Sequence, residues 1–588
     1  MDYRFGPQVK DDETVFRLYA PSADAAELVL KDGDVISMER ADDGFWQWAV
    51  AGAGEGTRYK FRIGGLTFPD LASRQQEGDT TGWSIVREPF PWQKHDEPIS
   101  PWYEALFCEV HVGTATPEGT FRGLMEKLEH FRDAGYNTLE IMPINTFPGR
   151  RNWGYDGTLV FAPAEAYGTP HDFRALVDRA HELKLCIVLD VVYNHFGEVD
   201  NFAREYCPEW FSEEVETPWG PGINFDNPMV RQFFYENAAM WLSEYDLDGL
   251  RFDAIHEMKT DSSDRFLREL ALNCREVKRS AKLIIENMDN RASWLPRDDK
   301  DEPTLYTAQW NDDIHHVINY LVTGERKSGY EDDEADPQAD LEKGLRDGFV
   351  HDGEAEGESD GSTGGEPGSF LPPDAFVGFV QNHDWIGNRA DCKRLADRIG
   401  AEKLDFVQFV AMLAPHLPLF FMGEEAHIRS PFPFFVDLEG EAATAKRDHR
   451  YKEMREIFKE EVGEAGLPDP SDPRTFESAK LPWSEFGLDD RRQALDRFRQ
   501  LAKWRQELVW QVLKSKFRTA ISTRTDPCII VTWEFDAGWL TMALNPSDWG
   551  HDIACAIQGM PVSTGQYDQN GETLRLGAWS AVAWRADR

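Results

Sequence analysis

Short runs that alternate apolar and polar residues fill the first part of the chain. TVFRLYA, AAELVLK, FWQWAVA and TRYKFRIG are separated at regular intervals by Gly, Asp and Pro. A period of two is typical of strands with one buried face, and closely spaced turns are typical of a sandwich. We therefore predict an N-terminal β-sandwich over 1–90, followed by a proline-punctuated linker over 91–104.

From residue 105 the pattern changes to short apolar runs that alternate with segments of helical period, such as FRALVDRAHELK and VRQFFYENAAMWLSEY. Eight runs have this character: FCEVHVG, NTLEIMP, CIVLDVV, DGLRFD, KLIIEN, LYTAQWN, FVGFVQN and LPLFFMG. Repeated strand–helix units predict a parallel sheet, and eight of them predict a closed (β/α)₈ TIM barrel over 105–507. An acidic, Gly-rich insertion over 327–369 interrupts it, with a helix predicted near ADLEKGLRDGF.

Alternation with a period of two returns in the last part of the chain. CIIVTWEF, WLTMALN, DIACAIQ and WSAVAWR predict a C-terminal antiparallel β domain over 508–588. The predicted fold class is therefore multidomain α/β, with a central (β/α)₈ barrel between two β domains.

The net charge limits which binding partners the sequence is compatible with, and the cysteines indicate the cellular compartment. The formal net charge of −42 argues against nucleic acid, because phosphate binding needs clustered Lys and Arg. A solvated acidic surface is the simplest explanation of this charge, and a salt-rich habitat is the alternative. Seven scattered cysteines indicate reduced thiols, and neither a signal-like N-terminus nor an uninterrupted apolar segment is present. We expect a soluble, cytoplasmic protein that acts on a neutral substrate without a membrane partner.

Three predicted strands end in an acidic residue. Asp253 closes DGLRFD, Glu286 closes KLIIE, and Asp384 follows FVGFVQNH. A single Asp after a strand is more often a helix N-cap, but three acids at one rim of a barrel favour chemistry. Two converging carboxyl groups are what glycoside hydrolysis requires, one to attack the anomeric carbon and one to protonate the leaving oxygen.

Basic residues accompany these acids. Arg251 lies two residues before Asp253, so both side chains point the same way on a strand, and Arg251 would keep Asp253 ionised. His195 ends the segment DVVYNH, and His383 precedes Asp384. Either histidine alone is more often structural, and only its place among the acids favours a functional role.

Four segments, DVVYNH, GLRFDAIH, IIENMDN and FVQNHDWIGNR, resemble in order and spacing the conserved regions of the α-amylase superfamily. A closer resemblance, to the maltooligosyltrehalose trehalohydrolase family, covers nearly the whole chain apart from the acidic insertion. It is carried by RFGPQV, EVHVGTATPEGTF, PGRRNWGYDG, QWNDDIHH and QNHDWIGNRA.

This resemblance implies hydrolysis of the α-1,4 bond next to the terminal trehalose unit of a maltooligosyltrehalose. Asp253 is then the nucleophile, Glu286 the general acid and base, and Asp384 the transition-state stabiliser of a retaining double displacement. The implied substrate contacts are Arg251, His195, His256, Tyr155, Asp312, Asp313, His383 and Arg389. A purely packed aromatic remains an equal alternative for Tyr155.

The resemblance also implies details of the reaction. Retention predicts that the carboxyl groups of Asp253 and Glu286 lie roughly 5 to 5.5 Å apart, and Glu286 must be protonated near neutral pH. Neither a cofactor nor a metal ion is expected, and no DxDxDG calcium loop occurs. Trp385 stands where relatives usually carry Gln, which bears on the leaving-side sugars. The enzyme would act after a maltooligosyltrehalose synthase in the same pathway.

Other functions remain open on the residues alone. A glucan branching enzyme, an isoamylase or a general α-amylase would use the same three acids, and product analysis would separate them. A non-catalytic glucan-binding protein on the same barrel is a further alternative from another class.

Overall fold

The computed structural model describes residues 3–10, 12–87, 99–217, 220–325, 336–353, 365–458 and 467–588. Eight parallel strands form a closed barrel at its centre, which confirms the predicted fold class. They pair in chain order, and β8 closes the barrel onto β1. The barrel strands are β1 (Phe107–Val110), β2 (Thr138–Ile141), β3 (Cys186–Val191), β4 (Gly249–Phe252), β5 (Lys282–Ile285), β6 (Ala308–Asn311), β7 (Phe376–Phe379) and β8 (Leu417–Phe421).

Each of these strands is buried along its whole length, as their continuous apolar runs predict. Helices cover the barrel, and local sequence sets their starts. Thr169 and Asp172 form a capping box, and Asn227 caps the next long helix ahead of a proline. The helices of the molecule are Val112–Ala115, Phe121–Met125, Leu128–Ala134, Pro170–Glu182, Ala203–Tyr206, Pro228–Glu244, Ser263–Val277, Asp312–Thr323, Pro337–Asp347, His383–Gly387, Leu395–Arg398, Ala401–Leu413, Gly440–Phe458, Pro473–Ser478, Asp489–Trp504 and Trp510–Leu513.

The connection between β5 and β6 departs from the repeated strand–helix unit. It contains a single 3₁₀ turn, Ala292–Trp294, in place of a long helix. Pro296 and Pro303 punctuate this segment, and a proline inside a helix removes a backbone hydrogen bond.

Two antiparallel sheets precede the barrel, as the alternating runs predict. The first contains Gln8–Lys10, Glu13–Tyr19, Phe45–Ala51 and Glu39–Arg40; the second contains Val35–Ser37, Glu27–Leu30, Arg58–Ile63, Leu66–Phe68, Trp83–Ile85 and Gln76–Glu77. The Phe5 ring packs against Trp210 and Phe233 of the barrel domain. Glu236 accepts hydrogen bonds from the backbone N–H groups of Arg4 and Phe5.

Two further antiparallel sheets lie at the other end of the chain. The first contains Phe517–Thr525, Cys528–Phe535, Gly538–Asn545, Ser580–Asp587 and Val562–Thr564; the second contains His551–Ala554, Thr573–Leu576 and Tyr567–Asn570. The expected domain start at 508 falls inside a helical stretch, because Asp489–Trp504 continues through a π-helical segment, Arg505–Val509.

The predicted insertion over 327–369 and the predicted linker over 91–104 lie partly outside the described residues. Within the insertion, helix Pro337–Asp347 forms where the sequence predicts one. It packs on the C-terminal sheet, where Trp533 donates a hydrogen bond from Nε1 to the carbonyl of Leu345.

All seven cysteines lie in the described part of the chain and none forms a disulfide there.

Two antiparallel strand pairs lie in the connections between barrel strands. One pairs Asn145–Thr146 with Leu159–Pro163, and the other pairs Phe211–Thr217 with Gly220–Ile223. Over the described ranges, no helix combines the length and the apolar character that crossing a bilayer requires.

Candidate active site

A cleft of about 320 Å³ opens at the carboxyl ends of the barrel strands, the end where barrel enzymes carry their active sites. It brings together residues from six of the connections that follow these strands. The cleft is lined by Trp153, Tyr155, Asp156, His195, Glu198, Asp253, Ala254, His256, Glu257, Glu286, His383, Asp384, Asn388, Phe434, Lys446, His449, Arg450 and Glu453.

Asp253 follows β4 and is held at both carboxylate oxygens. Arg251 donates from Nη1 to Oδ1 at 2.9 Å, and Asn194 donates from Nδ2 to Oδ2 at 2.7 Å. Arg251 and Asp253 therefore point the same way, as their spacing on a strand predicts. The side chain of Asp253 is 11% exposed, so the carboxylate is fixed and still reachable from the cleft.

Glu286 follows β5 and shares the same guanidinium. Its Oε2 lies 2.8 Å from Nη2 of Arg251 and accepts a hydrogen bond from the backbone N–H of Ala254 at 2.8 Å. Ala254 has a left-handed backbone with φ of 40°, uncommon for a residue other than glycine. Ala254 directly follows Asp253 and donates to Glu286. The turn at Ala254 therefore fixes the position of one acid relative to the other.

Asp384 is the most exposed of the three acids, with 35% of its side chain accessible. Burial and the nearby charge of Glu286 raise the pKa of Asp384, and His383 opposes that rise. His383 itself is buried, and burial lowers its pKa. The carboxylates of Asp384 and Glu109 outweigh this effect and raise the pKa of His383 to about 9.

Tyr155 and Asp190 support Arg251 from the other side. Arg251 donates from Nη1 to Asp190 at 2.6 Å, and the Tyr155 hydroxyl donates to the same Oδ2 at 2.6 Å. Burial raises the pKa of Asp190 to about 7 against the lowering effect of Arg251. The Tyr155 ring stacks on His383 at 5.0 Å between centroids while it lines the cleft. Tyr155 is thus packed on His383 and also lines the cleft, and its contact with a sugar ring remains a prediction.

The other two predicted histidines also line the cleft. His195 donates from Nε2 to the carbonyl of Tyr155 at 2.9 Å, and burial lowers its pKa to about 4. His195 is therefore neutral at physiological pH, whereas His383 is charged. His256 lies near the backbone N–H of Met288, with 3.4 Å between Nδ1 and that nitrogen.

Asp312 does not line the cleft, but it lies close enough to Glu286 and Asp384 to interact with them electrostatically. Its Oδ1 accepts a hydrogen bond from Nε1 of Trp385 at 3.1 Å. Burial and the charge of Glu286 raise its pKa to about 8, so Asp312 is largely protonated at neutral pH. Trp385 in turn stacks on His315 at 4.5 Å between ring centroids.

Four residues predicted to contact substrate do not line the cleft, namely Arg251, Asp312, Asp313 and Arg389. Oδ2 of Asp313 accepts hydrogen bonds from Asn290 and from the backbone of Val350 and His351, so this carboxylate organises loops. Arg389 is bound by both carboxylate oxygens of Glu325, at 2.6 and 2.7 Å. The adjacent Asp312 and Asp313 point to different neighbours because successive helical residues lie on different faces.

Helix Gly440–Phe458 supplies lining residues that sequence reasoning missed. Lys446 donates to Oδ1 of Asp156 at 2.8 Å, and Arg450 donates to the carbonyl of Gly387 and to Asn388. These contacts fasten the helix to the loops that follow β2 and β7. The helix begins well after β8 ends, so inspection of strand ends could not find it.

No group of three or more His, Cys, Asp or Glu in the described ranges is arranged to hold a metal ion. The arrangement of Asp253, Glu286 and Asp384 around Arg251 instead suits acid–base and nucleophilic chemistry on a neutral substrate.

Comparisons with known families agree with this architecture. Residues 4–70 match Carbohydrate-binding module 48 (isoamylase N-terminal domain), and residues 71–218 match the α-amylase catalytic domain. The strands Gln76–Glu77 and Trp83–Ile85 pair with the N-terminal sheet although they lie in the second match.

Relatives cover most of the chain. A malto-oligosyltrehalose trehalohydrolase from Deinococcus radiodurans is 35% identical over 97% of this chain and 94% of its own. One from Saccharolobus solfataricus is 34% identical over 82% of this chain and 83% of its own. A crystal structure of a Salmonella typhimurium protein covers 100% of both chains with 37% identity and a TM-score of 0.94.

Proposed function

Because the chain belongs to the malto-oligosyltrehalose trehalohydrolase family of α-amylase-type glycoside hydrolases, we propose that it releases trehalose from maltooligosyltrehalose. The bond cleaved is the α-1,4 bond next to the terminal trehalose unit, and the second product is a maltooligosaccharide. The names of the relatives support this substrate.

In the proposed mechanism Asp253 attacks the anomeric carbon and forms a covalent glycosyl intermediate. Arg251 and Asn194 support this role, because each binds one oxygen of the carboxylate and together they fix its orientation. Retention of configuration follows from two successive displacements at the same carbon.

Glu286 protonates the leaving oxygen and then deprotonates the attacking water. Its Oε2 is held by Ala254 and Arg251, so the proton is assigned to Oε1. The carboxyl groups of Asp312 and Asp384 lie close enough to Glu286 to interact with it electrostatically. The spacing of roughly 5 to 5.5 Å between Asp253 and Glu286 remains a prediction of this mechanism.

Asp384 stabilises the positive charge that develops on the sugar ring. Its greater exposure leaves it available to hydroxyl groups of the sugar, and His383 beside it supplies an N–H donor. Tyr155, His195 and His256 complete the proposed substrate contacts, whereas Arg251 is fully buried and acts by holding the acids.

The observation that carries the proposal is the single guanidinium of Arg251 placed between Asp253 and Glu286. The test is incubation of the purified protein with maltotriosyltrehalose, with maltopentaose as the control substrate, followed by chromatography of the products. We expect trehalose plus maltotriose and little cleavage of maltopentaose. Asp253→Asn should abolish release, whereas Asp496→Asn, at an exposed helical position, should not change it.

Other outcomes would redirect the assignment. Equal cleavage of both substrates would mean a general α-amylase, and new α-1,6 linkages would mean a branching enzyme. Binding without turnover, unchanged in Asp253→Asn, would mean a glucan-binding protein.

A further inference from the structure

Strand β1 carries a glutamate inside the barrel that none of the steps above uses. Glu109 is 1% exposed. Its Oε2 accepts a hydrogen bond from the backbone N–H of His383 at 3.0 Å, and its Oε1 pairs with Nδ1 of the same residue. Both oxygens of one buried carboxylate are thus engaged by a single histidine, although β8 lies between β1 and β7.

This contact fixes which ring nitrogen of His383 faces the cleft. Nδ1 carries a proton toward Glu109, and Nε2 lies 3.3 Å from Oδ2 of Asp384. The ring is packed between Tyr155, stacked at 5.0 Å, and Trp153, edge-on at 5.2 Å. A histidine held by a carboxylate on its other nitrogen has a defined tautomer and orientation.

The charged groups around His383 come from three barrel strands: Glu109 lies on β1, Arg251 lies on β4, and Asp384 follows β7. The carboxylates of Glu109 and Asp384 favour its charged form, and Arg251 opposes it. His111, whose own pKa is lowered to about 4 mainly by burial and also by His383, is neutral and does not compete. Glu109 is therefore one of two anions that hold a positive charge in a buried ring.

We propose that Glu109 is a positioning residue for hydrolysis: it orients the His383 ring and keeps it positively charged, so that Nε2–H faces the reacting sugar beside Asp384. The reaction that this serves rests on the function proposed above. Glu109 contacts neither sugar nor Asp384, and acts through His383.

The neighbouring strand supplies a matched control. Glu140 is the register partner of Glu109 on β2 and is equally buried. Burial raises the pKa of Glu140 well above its usual range, so this group is neutral. Glu140→Gln therefore replaces one neutral group by another of the same shape, whereas Glu109→Gln removes a negative charge.

The test compares pH profiles of kcat and KM for wild type, Glu109→Gln and Glu140→Gln from about pH 5 to about pH 10, on whichever α-1,4-glucan the wild type cleaves. The charged form of His383 is complete below its pKa and is lost as the pH rises through it. Without Glu109, only Asp384 opposes the lowering of the His383 pKa by burial. The alkaline limb of the kcat profile should therefore move at least about one pH unit toward acid. Near pH 10 kcat should fall roughly tenfold or more relative to wild type, with a smaller change in KM. Glu140→Gln should keep the wild-type limb.

A second measurement does not depend on turnover. Nitrogen-15 NMR of labelled histidine, with His383→Asn to assign the signal, reports the pKa of His383 in the full chain. We expect the pKa to fall in Glu109→Gln and to stay near the wild-type value in Glu109→Asp, which keeps the charge. An unshifted pKa, or equal activity losses in Glu109→Gln and Glu140→Gln with an unchanged pH profile, would overturn the proposal. A wild type that cleaves no glucan would instead overturn the proposed function, while the NMR comparison would still decide the role of Glu109.

Discussion

Arg251 is a charged residue that lies wholly in the protein interior among three acids. It is fully buried and contacts Asp190, Asp253 and Glu286 through one planar group. A buried charge is tolerated only when it is paired and well hydrogen-bonded, and the fork of a guanidinium reaches several carboxylates at once. The geometry of the proposed acids therefore depends on the forked guanidinium of Arg251 and not on its positive charge alone.

Arg251→Lys should test this dependence. A lysine has a point charge that cannot contact all three acids, so we expect kcat/KM to fall at least about 100-fold, equivalent to about 2.7 kcal/mol, together with a lower thermal midpoint. Arg505→Lys is the matched control, since Arg505 is also fully buried but donates to the carbonyls of Met412, Ala414 and His416. It should lower the midpoint without a comparable loss of kcat/KM. Equal losses of kcat/KM in both variants would contradict the special role of Arg251.

Sequence reasoning located the acids because strand ends are readable from apolar runs. It failed at Asp313 and Arg389, because the side-chain direction at a helix start and the partner of a loop arginine depend on tertiary structure. It also passed over Glu109, which lies inside an apolar strand. Only the structure shows that this acid contacts His383, 274 residues later in the chain.

Among the elements, helix Gly440–Phe458 contributes four residues to the cleft lining, Lys446, His449, Arg450 and Glu453. Its sequence mixes charges of both signs and has no continuous apolar stripe. The face that packs on the barrel could therefore not be predicted from the sequence. The two contacts of Lys446 and Arg450 hold it over the cleft. The eight barrel strands were predictable because each has its own apolar run, whereas this helix is positioned by a few polar contacts.

Lys446→Met should loosen this helix and the loop that carries Tyr155. The partly buried carboxylate of Asp156 then keeps its hydrogen bond from Asn152 but loses its ion pair with Lys446. Because that ion pair joins the helix to the loop, we expect KM to rise roughly tenfold with a smaller change in kcat. Lys452→Met, an exposed position on the same helix, is the control. Steady-state kinetics decides between them, and an unchanged KM in Lys446→Met would show that the helix does not shape substrate binding.

At the scale of the whole molecule, the acidic surface is the dominant feature. A net charge of −42 destabilises the compact state through self-repulsion, and added salt screens it. The thermal midpoint should rise by about 3 to 8 °C between about 20 mM and about 0.5 M sodium chloride. Choline chloride at equal ionic strength should have the same effect, because screening does not depend on the cation. A midpoint that falls with salt would mean that attractive ion pairs outweigh the repulsion.

The domain order was readable from changes in periodicity, but the way the domains attach was not. Contacts such as that of Trp533 with Leu345 join residues that no local pattern relates. Likewise, no local pattern shows that the helical stretch from Asp489 continues through the predicted domain start at 508.

The hydrogen bonds from Arg4 and Phe5 to Glu236 have a consequence for synthesis on the ribosome. The acceptor lies 231 or 232 residues after its donors, on helix Pro228–Glu244. The first sheets can pair as soon as they emerge, but Phe5 has no Phe233 to pack against until that helix has been made. Synthesis adds roughly 5 to 20 residues per second, so the Phe5 ring lacks this contact for many seconds. During that interval chaperones can protect the exposed apolar surface from aggregation.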